Sequence, residues 1–332
     1  MKKLCLLMTL LLIFALLATG CGRVPGILYI DGQEVAVNEL LKIDDTPYLL
    51  ADYLYYFVQL KYQYDGNDHK TWARHPELLE ELKENTIYTM QYLQATRELA
   101  KENGLKLNRS DKKSIKESLQ AARSNYESES AFQSALHYAF MDTHILTVTL
   151  EDDIYNNKLM DHFYGKNGTE LLSDEEITDA IMNEYVHYKS IYMRLDVDDS
   201  TDFKGTMESI HQQLTDGADF QKLMEQYSRD GTFADYPDGY YSAKDSEVDF
   251  MEMLIAMKDD TISEVFESEN GYYIFWKLPN DREYIAKNVS DFSSSYYSRL
   301  LNKKIKARVD QQKVEILSDY YDKINMETVY GE

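Results

Sequence analysis

The stretch Asp216-Gly-Ala-Asp-Phe-Gln-Lys-Leu-Met-Glu-Gln-Tyr-Ser-Arg-Asp230, answered further on by Gly271-Tyr-Tyr-Ile-Phe-Trp-Lys-Leu278, decides how this chain reads. Asp216-Gly217 marks a turn, and Gln221 to Tyr227 reads as a short helix. Gly271 to Leu278 is aromatic and β-branched, which predicts a strand entered through glycine. Outward from there, Ser190-Ile-Tyr-Met-Arg-Leu195 predicts a further strand. Phe203 to Leu214 has the apolar spacing of an amphipathic helix. Together these pieces predict a small α/β module.

The N-terminus reads differently. In residues 1–20, Lys2 and Lys3 precede the apolar run Leu4 to Leu17. That run is shorter than the roughly 20 residues a spanning helix needs, so the segment is expected to be a signal peptide. It ends in Leu17-Ala-Thr-Gly-Cys21, which resembles the bacterial lipoprotein box. Cys21 is therefore expected to carry diacylglycerol, whose two acyl chains suffice for stable anchoring. The other cysteine, Cys5, lies inside the segment to be removed. No disulfide, thiol nucleophile or cysteine metal site is then expected.

The 332 residues hold 58 acidic against 35 basic side chains, a net charge of −23. Binding to nucleic acid needs clustered Lys and Arg and is excluded on this balance. The seven histidines show no metal-ligand spacing, and no metal is expected. Asp196 to Asp202 has the acid density of a calcium loop but lacks its central glycine and final Glu, so it reads as a loop capping the next helix. Twenty-eight tyrosines offer amphipathic contact area at low entropic cost. They are read either as a polypeptide-binding surface or as core aromatics.

Ile27 to Val35 predicts a β-hairpin turning at Asp31-Gly32. Helices are predicted over Tyr48 to Leu60, from Pro76 to a Gly104 cap, from Ser110, from Ser130, and over Thr147 to Phe163. Gly165 to Gly168 breaks the pattern. Ser173-Asp-Glu-Glu176 is a capping box opening a helix through Tyr185. After Pro279 a helix is expected over Asp291 to about Tyr321.

The two opening stretches resemble the parvulin, or PpiC-type, peptidyl-prolyl isomerase domain. The wider succession resembles the PrsA- and SurA-type extracytoplasmic foldases. Its matching residues are Asp31-Gly32-Gln33-Glu34-Val35, Ala100 with Asn103-Gly104-Leu105, and Leu172-Ser173-Asp174-Glu175-Glu176-Ile177. The resemblance implies an α+β fold: a mainly helical SurA-N-like lobe with an inserted parvulin-like domain of antiparallel sheet plus helices. The corresponding division is a signal peptide 1–20, a tether 21–26, a helical lobe 27–188, a parvulin-like domain 189–279, and 280–332 packing back on the lobe. It implies a foldase anchored through Cys21 on the extracytoplasmic face of a bacterial membrane. Its partners would be unfolded or proline-containing secreted polypeptides, and it would use no cofactor. Oligomeric state is left open.

Peptide-bond rotation faces a barrier of about 18–20 kcal/mol. A parvulin site lowers it by seating the proline in an apolar pocket and favouring the twisted amide through fixed hydrogen bonds. Carried over by residue, the resemblance places Asp230 at the family's Asp/Cys position. Phe250 falls at the pocket Phe, and Ser246, or Val248 beside it, at the pocket Met/Leu. The resemblance calls for a histidine in each of the first and last strands, and this chain has Tyr192 and Tyr273 in their place. Isomerase activity is thus implied by resemblance and weakened or lost by residue. The alternative is a non-catalytic lipoprotein whose parvulin-like domain docks a specific partner.

Overall fold

The computed structural model describes residues 26–331 apart from 67, 69, 195–201, 233 and 269–270. Cys21, the segment 1–20 and nearly all of the Asp196–Asp202 loop lie outside the described residues. The fold is α+β. Its described strands are β1 (Ile27–Ile30), β2 (Gln33–Ala36), β3 (Glu39–Ile43), β4 (Thr46–Leu49), β5 (Tyr185–Arg194), β6 (Tyr240–Ala243), β7 (Thr261–Ile262), β8 (Phe266–Ser268), β9 (Gly271–Leu278) and β10 (Val314–Ile316). The chain divides into two compact units, one of Leu172–Tyr296 and one of 26–171 with 297–331.

In the second unit β1 and β2 form the expected hairpin, with Ile30 opposite Gln33. Asp31 and Gly32 both take positive φ, 51° and 73°, as a type I′ turn requires. Helix Leu50–Asp65 is buried along Tyr53, Leu54, Phe57 and Val58. It begins two residues later than its apolar run suggests, because Pro47 and Tyr48 are drawn into β4 by pairing with Lys42 and Leu41. The long helix Leu78–Glu102 ends where Gly104 takes φ 71° and Leu105 N–H reaches the Ala100 carbonyl at 2.9 Å. Helix Thr143–Tyr164 starts four residues ahead of Thr147, since Asp142 accepts from Ile145 N–H and caps it there.

The C-terminal segment departs from expectation. The helix Val289–Val309 stops well before Tyr321, and Val314–Ile316 forms β10, antiparallel to β3. Lys313 N–H donates to the Asp44 carboxylate at 2.9 Å and Leu317 N–H to the Leu40 carbonyl at 2.9 Å. Pairing with a distant strand overrides local helical preference.

The unit Leu172–Tyr296 opens with the predicted capping box. Ser173 Oγ accepts from Glu176 N–H, and Glu176 accepts from Ser173 N–H at 2.8 Å. Its helix ends at Glu184 and β5 begins at once at Tyr185, five residues ahead of Ser190. The sheet order is β6-β5-β9-β7, with β8 also pairing β9. Side chains alternate across a strand, which sorts the central pair into two faces. Ile191, Met193, Tyr272 and Ile274 pack beneath helices Phe203–Thr215 and Phe220–Tyr227. Val186, Tyr188 and Phe275 pack with Met251 and Leu254 on the other face. Gly271 sits at φ 153°, where a Cβ would lie 2.1 Å from the Met193 carbonyl oxygen. Only glycine lets β9 enter this close to β5.

Candidate functional site

Tyr192 and Tyr273 stand directly opposite each other on β5 and β9. Their rings stack with centroids 4.5 Å apart and planes 22° apart. By strand parity both lie on the face that carries Tyr188 and Phe275. Burial, the neighbouring Tyr192 and a hydrogen bond between the two phenols push the Tyr273 hydroxyl well above its usual range, so it stays protonated. Phe250 joins this wall, its ring 5.6 Å from Tyr273 and 4.7 Å from Phe275. Aromatic pairs at these separations gain beyond the area they bury.

Asp230 closes one side. The loop carrying it is strapped to β5 at Tyr192: Arg229 N–H donates to the Tyr192 carbonyl at 2.7 Å, and Tyr192 N–H donates to Ser228 Oγ at 3.1 Å. The Asp230 carboxylate accepts from Tyr240 Oη at 2.7 Å, and from Thr232 N–H and Oγ at 2.9 and 2.7 Å. Partial burial pulls its pKa up, but the Tyr240 hydroxyl and the two Thr232 donors outweigh it and hold the carboxyl below its usual value. Burial and that carboxylate together raise the Tyr240 phenol, which remains the donor. Asp230 thus spends three acceptor bonds on its own loop and on β6.

Val248 is 41 % exposed, and its carbonyl caps the turn into helix Met251–Ala256 by accepting from Met251 N–H at 3.1 Å. Ser246 N–H donates to the Ala243 carbonyl at 3.0 Å, while its Oγ is buried without a hydrogen-bond partner. Among the residues proposed from sequence, the structure brings Tyr192, Tyr273 and Phe250 into one aromatic wall, with Asp230 fastened to β5 beside it.

Sequence reasoning passed over Tyr240, Thr232 and Tyr188. Tyr188 bonds Ser242 Oγ at 3.1 Å and lies 5.7 Å from Tyr240. The Tyr240-Tyr241 doublet is the one signal that could have pointed there. It also passed over His187. That imidazole is buried, with Nδ1 2.9 Å from the Pro279 carbonyl and Nε2 2.7 Å from the Asp238 carbonyl. Its ring stacks on Tyr241 at 4.1 Å. Five residues from Tyr192, it belongs by strand parity to the opposite face and cannot stand in for an imidazole at that position.

Tyr240→Phe removes the strongest local donor to Asp230. It is expected to cost about 1 kcal/mol, below the usual range for a bond to a charged group because the site is partly solvated. The sign follows from the depressed carboxyl. That contribution is present above the ordinary carboxylate pKa of 3.8 and lost as pH falls through the lower folded value. Urea unfolding of both proteins at neutral pH and near pH 3 measures it, and an equal deficit at the two pH values would refute the Tyr240–Asp230 bond as its source.

Residues 191–277 match the family described as Rotamase: PPIC-type PPIASE domain. Solved structures similar to the chain include PrsA from Bacillus subtilis, at 14% identity and TM-score 0.30, covering 75% of this chain and 94% of that one. PrsA from Bacillus anthracis is 15% identical at TM-score 0.35, covering 68% and 96%. A structure reported with two SurA-like chaperones of Campylobacter jejuni, PEB4 and Cj1289, is 15% identical at TM-score 0.28, covering 84% and 99%. No curated protein matches the chain. The β5-to-β9 module, residues 191–277, is a domain of the PPIC-type peptidyl-prolyl isomerase family.

Proposed function

We propose that this chain is an extracytoplasmic foldase, anchored in the membrane through a lipid on Cys21, that holds unfolded secreted polypeptides on the aromatic wall of its PPIC-type domain and turns prolines weakly or not at all. The observation that carries this reading is the stacked Tyr192–Tyr273 pair beside Phe250. Two phenols packed face to face supply apolar area, where the family resemblance calls for two imidazoles. Tyrosine offers that area with only two side-chain torsions to freeze. Asp230, already bonded by Tyr240 and Thr232, has little acceptor capacity left for a twisted amide. The roles of Asp230, Tyr192, Tyr273, Phe250, Val248 and Ser246 are part of this proposal.

Two assays test it. The mature chain is expected to suppress aggregation of several unrelated unfolded proteins at stoichiometric ratios. In a protease-coupled Xaa-Pro assay at micromolar protein it is expected to accelerate isomerisation by less than about tenfold, or about 1.4 kcal/mol of barrier. Indifference to every unfolded client would overturn the foldase reading in favour of docking to one dedicated partner. Acceleration by several orders of magnitude, abolished by Asp230→Ala, would overturn the weak-isomerase reading.

A further inference from the structure

We propose that the aromatic wall selects polypeptide segments carrying a lysine or arginine next to the apolar or proline residue it holds. This deepens the peptide-binding reading above and rests on it. The wall offers Tyr192, Tyr273 and Phe250 rings, none of them fully buried. Ring faces of this kind attract Lys and Arg cations within about 6 Å.

Two carboxylates act on the same wall from separate loops. Asp230 and Asp249 both bear electrostatically on the Tyr273 phenol and help to keep it protonated. Among the described residues neither is ion-paired to a Lys, Arg or His. Asp249 is exposed and immediately precedes Phe250. From Asp230 to Glu252 the chain carries one basic residue, Lys244. Lys244 Nζ donates to the Asn183 carbonyl at 2.7 Å. The guanidinium of Arg229, adjacent to Asp230 in sequence, lies over the Phe203 ring at 4.8 Å, in the cluster on the opposite face of the sheet.

A cation entering beside the rings therefore meets π-faces and the Asp230 and Asp249 carboxylates together, whereas a carboxylate meets repulsion. The Coulomb part reaches about 8 Å at physiological ionic strength and shortens as salt is added. The preference is expected to be salt-sensitive, while apolar contact is not.

The experiment uses the mature chain and three labelled peptides sharing a Phe-Pro centre, flanked by Lys, by Ala or by Glu, with Kd read by fluorescence anisotropy. At low salt the Lys peptide is expected to bind about tenfold more tightly than the Glu peptide, with Ala between them. The ratio is expected to fall below about threefold at about 0.5 M salt. Asp249→Asn, an exposed change, should cut the low-salt ratio by about threefold. Equal affinities for the three peptides, or a ratio unmoved by salt and by Asp249→Asn, would overturn the inference and leave peptide binding intact. Binding of none of them would remove the peptide-site reading itself, and this inference with it.

Discussion

Phe275→Ala is expected to destabilise the unit Leu172–Tyr296 by about 3–5 kcal/mol, the range for emptying a well-packed aromatic site. Phe275 has no exposed surface. Its ring is shared by Phe250 at 4.7 Å, Tyr273 at 5.3 Å, Tyr188 at 5.7 Å and Phe266 at 6.3 Å. No apolar neighbour is spare to fill the hole, because Tyr188, Phe266 and Tyr273 are held in β5, β8 and β9 and Phe250 in the turn into helix Met251–Ala256. The same truncation removes the support beneath Phe250 and Tyr273, so client binding should weaken along with stability. The measurement is urea unfolding followed by Trp276 fluorescence in a Trp72→Phe background, since these are the chain's two tryptophans. A cost below about 1 kcal/mol would contradict the assignment of Phe275 as the shared floor of the wall, because simple transfer of the lost carbons already exceeds it.

Arg97→Ala should be comparably damaging, and its cost should depend on pH. Arg97 Nη1 reaches both oxygens of Asp152, at 2.9 and 3.1 Å, and Nη2 donates to Tyr48 Oη at 3.2 Å. Tyr48 passes a hydrogen bond to Gln94 at 2.8 Å, and Gln94 donates to the Ile43 carbonyl at 3.2 Å, so the guanidinium ties helix Leu78–Glu102 to β3, β4 and helix Thr143–Tyr164. Asp152 is 4 % exposed. Its burial pushes the carboxyl up to about 7, and Arg97 opposes that push. A folded pKa above the ordinary value means the contribution to stability is full below about 4 and is lost as pH rises towards 7.

Without Arg97 an ionised Asp152 would be a buried charge with its cation gone, a loss of about 3–5 kcal/mol. At pH 5 the carboxyl stays protonated and most of that penalty is avoided. Thermal unfolding at pH 5 and pH 8 separates the two, the variant's deficit being clearly larger at pH 8. A deficit that is the same at both pH values would show that Arg97 acts by packing alone.

Much of the local structure was legible because its causes are local. Asp31-Gly32 must adopt positive φ to join two strands by two residues. The Ser173–Glu176 pair satisfies two helix-start N–H groups between neighbours in sequence. Gly271-Tyr-Tyr-Ile-Phe-Trp-Lys-Leu278 is a strand over its full length. Predictions slipped where a distant partner decided the outcome. Tyr48 left its helix for β4, Val314–Ile316 left theirs for β10, and β5 took in Tyr185 to Lys189 because β6 and β9 lie on either side to pair with them.

The candidate site divides in the same way. That Tyr192 and Tyr273 occupy two strands of one module could be read from residue order alone. That they face each other across one rung, share a wall with Phe250 and Phe275, and leave His187 on the other side of the sheet depends on register. Register is a long-range property: a shift of one residue would send every side chain to the opposite face. Asp230 shows the point at a single group. Sequence placed it after a short helix at a position of interest, but Tyr240, ten residues on, occupies its carboxylate only because the intervening loop folds back to bring them within 2.7 Å. Helix caps, turns and the closing strand were therefore determined by the sequence by itself. The composition of the aromatic wall, and the engagement of the Asp230 carboxylate, were decided by tertiary structure, because both depend on contacts that local chain stiffness and propensity do not specify.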